Sequence, residues 1–366
     1  MKQLLIGLQN CHDTRKGFPL ASTAPIGTFT AASVTTPQKY GVTGTANVVA
    51  GVTNWTAGQS GDGYSWIVQI LPFMEENVLY DKIAQSTTGG RLGKLQDSAF
   101  LKGANGATQN PGTAPSATNP YIFATKISTL VCPSFPGEED VAVANFGTTW
   151  TNTEAPAKAA SGNYMALAAT HFNTTTAGHL ESGNPTTAGA STGKACTSGA
   201  YCGNGGLPFP GVVGGKVQKL GLGIQSLSDG SSKVAFVTES REEQNTSWYS
   251  GLASYVVGAL PPNGSRTQPV GSVANASGQI FWICTAATCD IALNKGDTKG
   301  VTTNYYQPVN QHGGNPTVRI WGPSSRHPGT VIHGFADSHS EGVNDNIDKD
   351  VYLHYITRAG REVDNI

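Results

Sequence analysis

Five histidines, His312, His327, His333, His339 and His354, crowd into the C-terminal portion of this 366-residue chain. Zinc needs about three such ligands converging from short, fixed spacings. His333 and His339 have even separation, but a turn falls between them and sets them on opposite arms of a hairpin. The pattern therefore predicts structural or solvated histidines and no metal held by them. Asp345, Asn346, Asp348 and Asp350 form a small oxygen-rich cluster. Asp345, Asp348 and Asp350 are the candidate ligands of a calcium ion, although the cluster lacks the spacing and the Gly of an EF-hand loop. Capping of a following helix explains the same residues without a metal. Gly189-Ala190-Ser191-Thr192-Gly193 has the G-x-S-x-G spacing of a hydrolase nucleophile. That motif works on a strained strand-to-helix turn, and no apolar strand precedes it here and no helix follows. As a phosphate loop it also fails, because Gly189 lies one position too close to Gly193-Lys194 and Ala195 replaces the hydroxyl. No catalytic residue is read from the sequence, and the expectation is a protein that is not an enzyme.

The cysteines point to staples. Five residues separate Cys196 from Cys202 and four separate Cys284 from Cys289, each pair in a Gly/Thr/Ala loop. Neither spacing is C-x-x-C, and no His lies at zinc-finger distance. Two local disulfides are expected, since loops so poor in apolar residues need covalent ties. Cys11 and Cys132 are left as either a third, long-range bridge or buried thiols. An even count suits an oxidising compartment. Only 13% of residues are charged, against roughly 25% in an average soluble domain, and 46 glycines take up part of the difference. A net charge of −1 excludes the electrostatic footprint of a nucleic-acid or anionic-membrane binder. No run approaches the ~18 apolar residues of a membrane span. The composition suits an extracellular β-rich protein better than a cytosolic enzyme. The Trp and Tyr residues are scattered and read as core and interface residues.

Several elements must position these groups. Leu4, Leu5, Leu8 and Cys11 recur at helical spacing over residues 2–15, and Gly17 and Pro19 end that helix. Residues 64–85 read as two helical segments kinked at Pro72. Lys126–Cys132 reads as a short strand stopped by Pro133, Lys233–Ser240 as an alternating strand after an Asp229-Gly230 turn, and Trp248–Val257 as another strand. Thr330–Ala336 and His339–Asn344 form a hairpin joined by the two residues Asp337-Ser338. A helix follows over Val351–Ile356, with acids before it and Arg358 and Arg361 behind it. Long Gly/Thr/Asn stretches, 103–120 and 173–215, are loops.

Five segments read in order resemble one family. They are LLIGLQNCHDTRKGFP (4–19), SWIVQILPFMEENVLYDKI (65–83), ISTLVCPS (127–134), LSDGSSKVAFVTE (227–239) and SSRHPGTVIHGFADSHSEGVNDNID (324–348). The succession is similar to a prepilin-like family abundant in planctomycete bacteria, a domain of unknown function. Its members carry an N-terminal prepilin cleavage/methylation segment and a C-terminal His-x9-Asp-Gly motif, here His327 and Asp337. The motif's Gly is Ser338, which must take positive φ at roughly 1 kcal/mol or change the turn type. The family's basic leader and long apolar helix do not stand before Lys2. Leu4, Leu5 and Leu8 read as the tail of that helix, in a chain trimmed, started late or without its anchor.

The resemblance implies an α+β, pilin-like fold: an N-terminal helix packed on an antiparallel sheet with long loop insertions. Residues 1–17 would be the remnant of the pilin helix and 18–366 a single β-rich head. It implies a non-catalytic surface protein that self-associates, or joins other pilin-like subunits, into filaments or secretion pseudopili. A prepilin peptidase would process the precursor, and membrane contact would run only through the N-terminal helix. The alternative is a secreted module that holds a carbohydrate or a partner in its variable loops. His327 and Asp337 are expected to be structural. Asp337 would bond backbone in the turn, and His327 would pack over the hairpin base and donate a hydrogen bond to it.

Overall fold

The computed structural model describes residues 1–25, 63–86, 116–135, 158–170, 201–213, 216–243, 246–260 and 322–359, with short pieces between them. Its centre is a five-stranded sheet built from β1 (Tyr164–Ala169), β2 (Ala235–Glu239), β3 (Tyr255–Val257), β4 (Thr330–Phe335) and β5 (Ser340–Asn344). The strand order is β3-β1-β2-β4-β5. Three pairings are antiparallel, but β3 joins β1 in parallel, so the sheet is mixed at one edge. Every residue of β1 and β2 is buried, because helices cover both faces of the sheet.

Of the four helices, α1 (Lys2–Arg15) and α4 (Lys349–Ile356) pack on the sheet, while α2 (Trp66–Ile70) packs beside α1 and α3 (Asn77–Ser86) packs on the turn that joins it to α2. The α1 stripe Leu4, Leu5, Leu8 and Cys11 is at most 1% exposed and belongs to the same core as the sheet. The helix stops at Lys16, whose φ of 63° is left-handed and whose N–H bonds back to the His12 carbonyl. Ser65 caps α2 through its Oγ, which accepts the N–H of Val68 at 3.1 Å. Pro72 lies in a 3-10 turn, Leu71–Phe73, between α2 and α3. Along β4 successive side chains face opposite ways. Gly334 lies under Leu5 of α1, while His333 and Phe335 face Tyr352 and Tyr355 of α4. The sheet is thus held between α1 and α4.

The structure corrects several expectations. Lys126–Cys132 is not a strand. Ser128–Leu130 forms a 3-10 turn in which Leu130 and Val131 donate to Ile127 and Ser128, so the backbone is satisfied locally. Trp248–Val257 is a strand only over Tyr255–Val257. Trp248 and Tyr249 are buried loop residues, and Gly251–Ala253 is a 3-10 turn. The β4–β5 loop has three residues, not two. Phe335 faces His339, and Ala336, Asp337 and Ser338 turn between them, with the Ser338 N–H on the Phe335 carbonyl at 3.0 Å. Of the two readings left open for Cys11 and Cys132, the structure has the buried thiols: both are free and buried.

Candidate functional site

The convergence of reactive groups lies where β2 ends and the chain enters β4. Glu239 is the last residue of β2 and is 4% exposed. Its backbone carbonyl accepts the N–H of Ser324 at 2.9 Å, which brings residues 324–327 alongside. Its Oε2 accepts the N–H of Ile332 at 3.4 Å. Ser325 then turns the chain, accepting the His327 N–H on its Oγ at 3.1 Å. Gly329, at φ 65°, completes the reversal into β4. Cys132 arrives from the 3-10 turn before it. Asn163 fixes it there, accepting the Cys132 N–H at 3.2 Å and donating its own backbone N–H to Leu130 at 2.9 Å. Since Asn163 also exchanges bonds with Ser240, one side chain ties the Cys132 loop to the end of β2.

These three anchors put a thiol, an imidazole and a carboxylate together. His327 Nε2 lies 3.9 Å from Cys132 Sγ, 3.4 Å from Ser134 Oγ and 3.7 Å from Glu239 Oε1. Ser134 Oγ is 3.0 Å from the thiol. The carboxylate and the thiol are buried, and the imidazole is half-exposed, with 39% of its side chain open. A hollow of about 190 Å³, open to solvent, adjoins them and is lined by Phe135, Ser240, Arg241 and Arg326 among others. Both arginines are engaged elsewhere, Arg326 with Glu243 at 3.0 Å and Arg241 with the Asn294 carbonyl at 3.0 Å. Burial raises the Tyr164 phenol, and the neighbouring Cys132 and Glu239 push it the same way. The Met1 amine at the start of α1 is lowered by burial, while Glu239 and Cys132 act in the opposite sense.

His327 and Asp337 do not share a site. They stand at opposite ends of β4, and the nine-residue gap counts out the strand between them. The His327 ring turns to Cys132, Ser134 and Glu239 rather than to the hairpin. In the turn, Asp337 Oδ1 accepts the His339 N–H at 3.1 Å and pairs with His339 Nδ1 at 2.5 Å. Burial pushes the Asp337 carboxyl up, but these His339 contacts outweigh it and hold it below the usual carboxylate range. Ser338 takes φ 71°, the left-handed position that ends a three-residue hairpin loop. Asp229 and Gly230 form the turn ahead of β2, with Gly230 at φ 98°.

The remaining candidates are dispersed. The Cys202 sulfur is disulfide-bonded. Cys196, Cys284, Cys289, His312 and the 189–193 motif lie outside the described residues. Of the calcium candidates, Asp348 Oδ1 accepts the Val351 N–H at 3.3 Å as the cap of α4, and Asp345 Oδ2 accepts from Asn294 at 3.1 Å. Asp350 is already within α4. His333 is buried against α4, its Nδ1 donating to the Val331 carbonyl and its Nε2 accepting from the Tyr352 hydroxyl at 3.1 Å.

The family model described as "SBP_bac_10: Protein of unknown function (DUF1559)" matches residues 1–350. The chain belongs to this family. No curated protein and no solved structure matches it. Of the grouped residues, the sequence offers Cys132 only as a bridge half or a buried thiol, and Glu239 not at all. Cys132 follows an apolar run mistaken for a strand, and Glu239 ends a clean alternating strand. An acid at the buried end of such a strand was the available signal.

Proposed function

We propose that this chain is the head of a pilin- or pseudopilin-like structural subunit displayed at the cell surface. One observation supports the reading most: α1 lies along one face of the sheet and shares its core, with Leu5 seated on Gly334 of β4. An apolar helix continued ahead of Lys2 would be carried rigidly by the head, which is the mechanical requirement of a subunit that assembles through such helices. Ile6, 46% exposed on the outer side of α1, leaves apolar surface for a neighbouring subunit. The composition, low in charge and rich in Gly and Thr, agrees with a surface location. On this reading the protein has no catalytic turnover, and its partners are copies of itself or related subunits.

The test is to join an apolar pilin-type segment ahead of Lys2 and fractionate the cells. Membrane association, and higher-order assembly on detergent extraction, is the expected outcome. A product that stays soluble and monomeric contradicts the proposal and favours a free carbohydrate- or partner-binding module.

A further inference from the structure

We infer that Cys132, Glu239 and His327 bind one divalent transition-metal ion, with zinc as the best match to their donors. The inference is independent of the pilin-like reading. Sulfur, imidazole nitrogen and carboxylate oxygen are the three donor types zinc accepts. They come from three separate stretches of chain, and one atom of each lies within 4.8 Å of the other two. Zn–S near 2.3 Å and Zn–N or Zn–O near 2.0–2.1 Å, at tetrahedral angles, require ligand atoms roughly 3.3–3.6 Å apart. The 3.9 Å and 3.7 Å separations therefore close by only a few tenths of an ångström. The half-exposed His327 ring moves for those two contacts, and the Cys132 and Glu239 side chains, whose donor atoms lie within 4.8 Å of each other, turn towards the ion to complete the set.

Charge balance also fits. A thiolate and a carboxylate neutralise a dication, with the imidazole neutral and the thiol proton released to solvent on binding. Cys132 is a free thiol and so able to ligate. Ser134 Oγ, 3.0 Å from the sulfur, donates to the thiolate. The fourth position opens on the hollow lined by Phe135 and Ser240, where water completes the shell. The ion would tie the 130–135 loop, the end of β2 and the entry to β4 into one unit. Arg241 and Arg326 line the same hollow and are held by the Asn294 carbonyl and by Glu243.

The experiment loads the full chain with zinc, removes the excess over a chelating resin and measures bound metal by mass spectrometry. One zinc per chain is expected in the parent and in His339→Ala, a histidine outside the cluster. Cys132→Ser and His327→Gln should each retain less than a tenth of that, with far-ultraviolet circular dichroism confirming that both are folded. Cobalt loading gives a second readout: a thiolate-to-cobalt charge-transfer band in the parent that is lost in Cys132→Ser. If either variant fails to fold, loss of the band on adding zinc to the cobalt-loaded parent carries the test instead. Metal absent from the parent, metal retained in both folded variants, or a cobalt spectrum without a thiolate band would overturn the inference.

Discussion

At the scale of single residues, Ser338 shows a local rule broken and compensated. A serine at φ 71° bears a cost near 1 kcal/mol that Gly would not. In return its Oγ donates to the Leu5 carbonyl at 3.3 Å, and its own carbonyl accepts from Lys2 at 2.9 Å, which ties the hairpin loop to α1. Ser338→Gly removes the strain and keeps the Lys2 contact, so thermal melting should show stability unchanged or raised by up to about 1 kcal/mol. A clear loss would mean that the hydroxyl bond outweighs the strain. His333 makes a second residue-scale prediction. Full burial lowers its imidazole to about 4, against the Val331 carbonyl, which acts to raise it. Between pH 6.5 and pH 4 the unfolded chain binds a proton that the folded chain refuses, so stability falls as the pH drops through that window. The loss should approach roughly 3 kcal/mol by pH 4. Chemical denaturation at a series of pH values checks it, and His333→Gln should flatten the slope. An unchanged slope in that variant would place the acid sensitivity elsewhere.

At the scale of elements, the seat of α1 on β4 is set by the absence of a side chain. A Cβ on Gly334 would come within 2.6 Å of a Leu5 methyl and 3.0 Å of the Met1 sulfur. Gly334→Ala should therefore lower stability by about 1–3 kcal/mol through overpacking, read as a shift in denaturation midpoint. An unshifted midpoint would show that the helix can lift off its seat freely. The elements themselves were largely legible in sequence. The Leu4, Leu5, Leu8 and Cys11 stripe, the alternation of β2 and the acids ahead of α4 each follow a local period or capping rule, and each element stands where its pattern placed it. The strand expected over 126–132 failed for a physical cause. Ile127, Leu130 and Val131 are apolar like a strand, yet their backbone groups close on neighbours in a 3-10 turn, a choice made by tertiary packing around Asn163. The site was hidden for the same reason. His327 was visible as half of a spaced pair, but the residues it meets, Cys132 and Glu239, are 195 and 88 positions away in the chain, and no local pattern reports such a meeting.

At the scale of the whole molecule, the sheet between α1 and α4 forms a single core in which the first helix is structural. On the proposed structural-subunit reading, this shared core would carry load from helix to head. The most direct measurement of the structural-subunit account is electron microscopy of the native cell surface, with a gold-labelled antibody raised against the purified chain. The account predicts label along filaments or in clusters at the cell envelope. Label confined to the cytoplasm, or protein recovered only as free monomer in the medium, would contradict it.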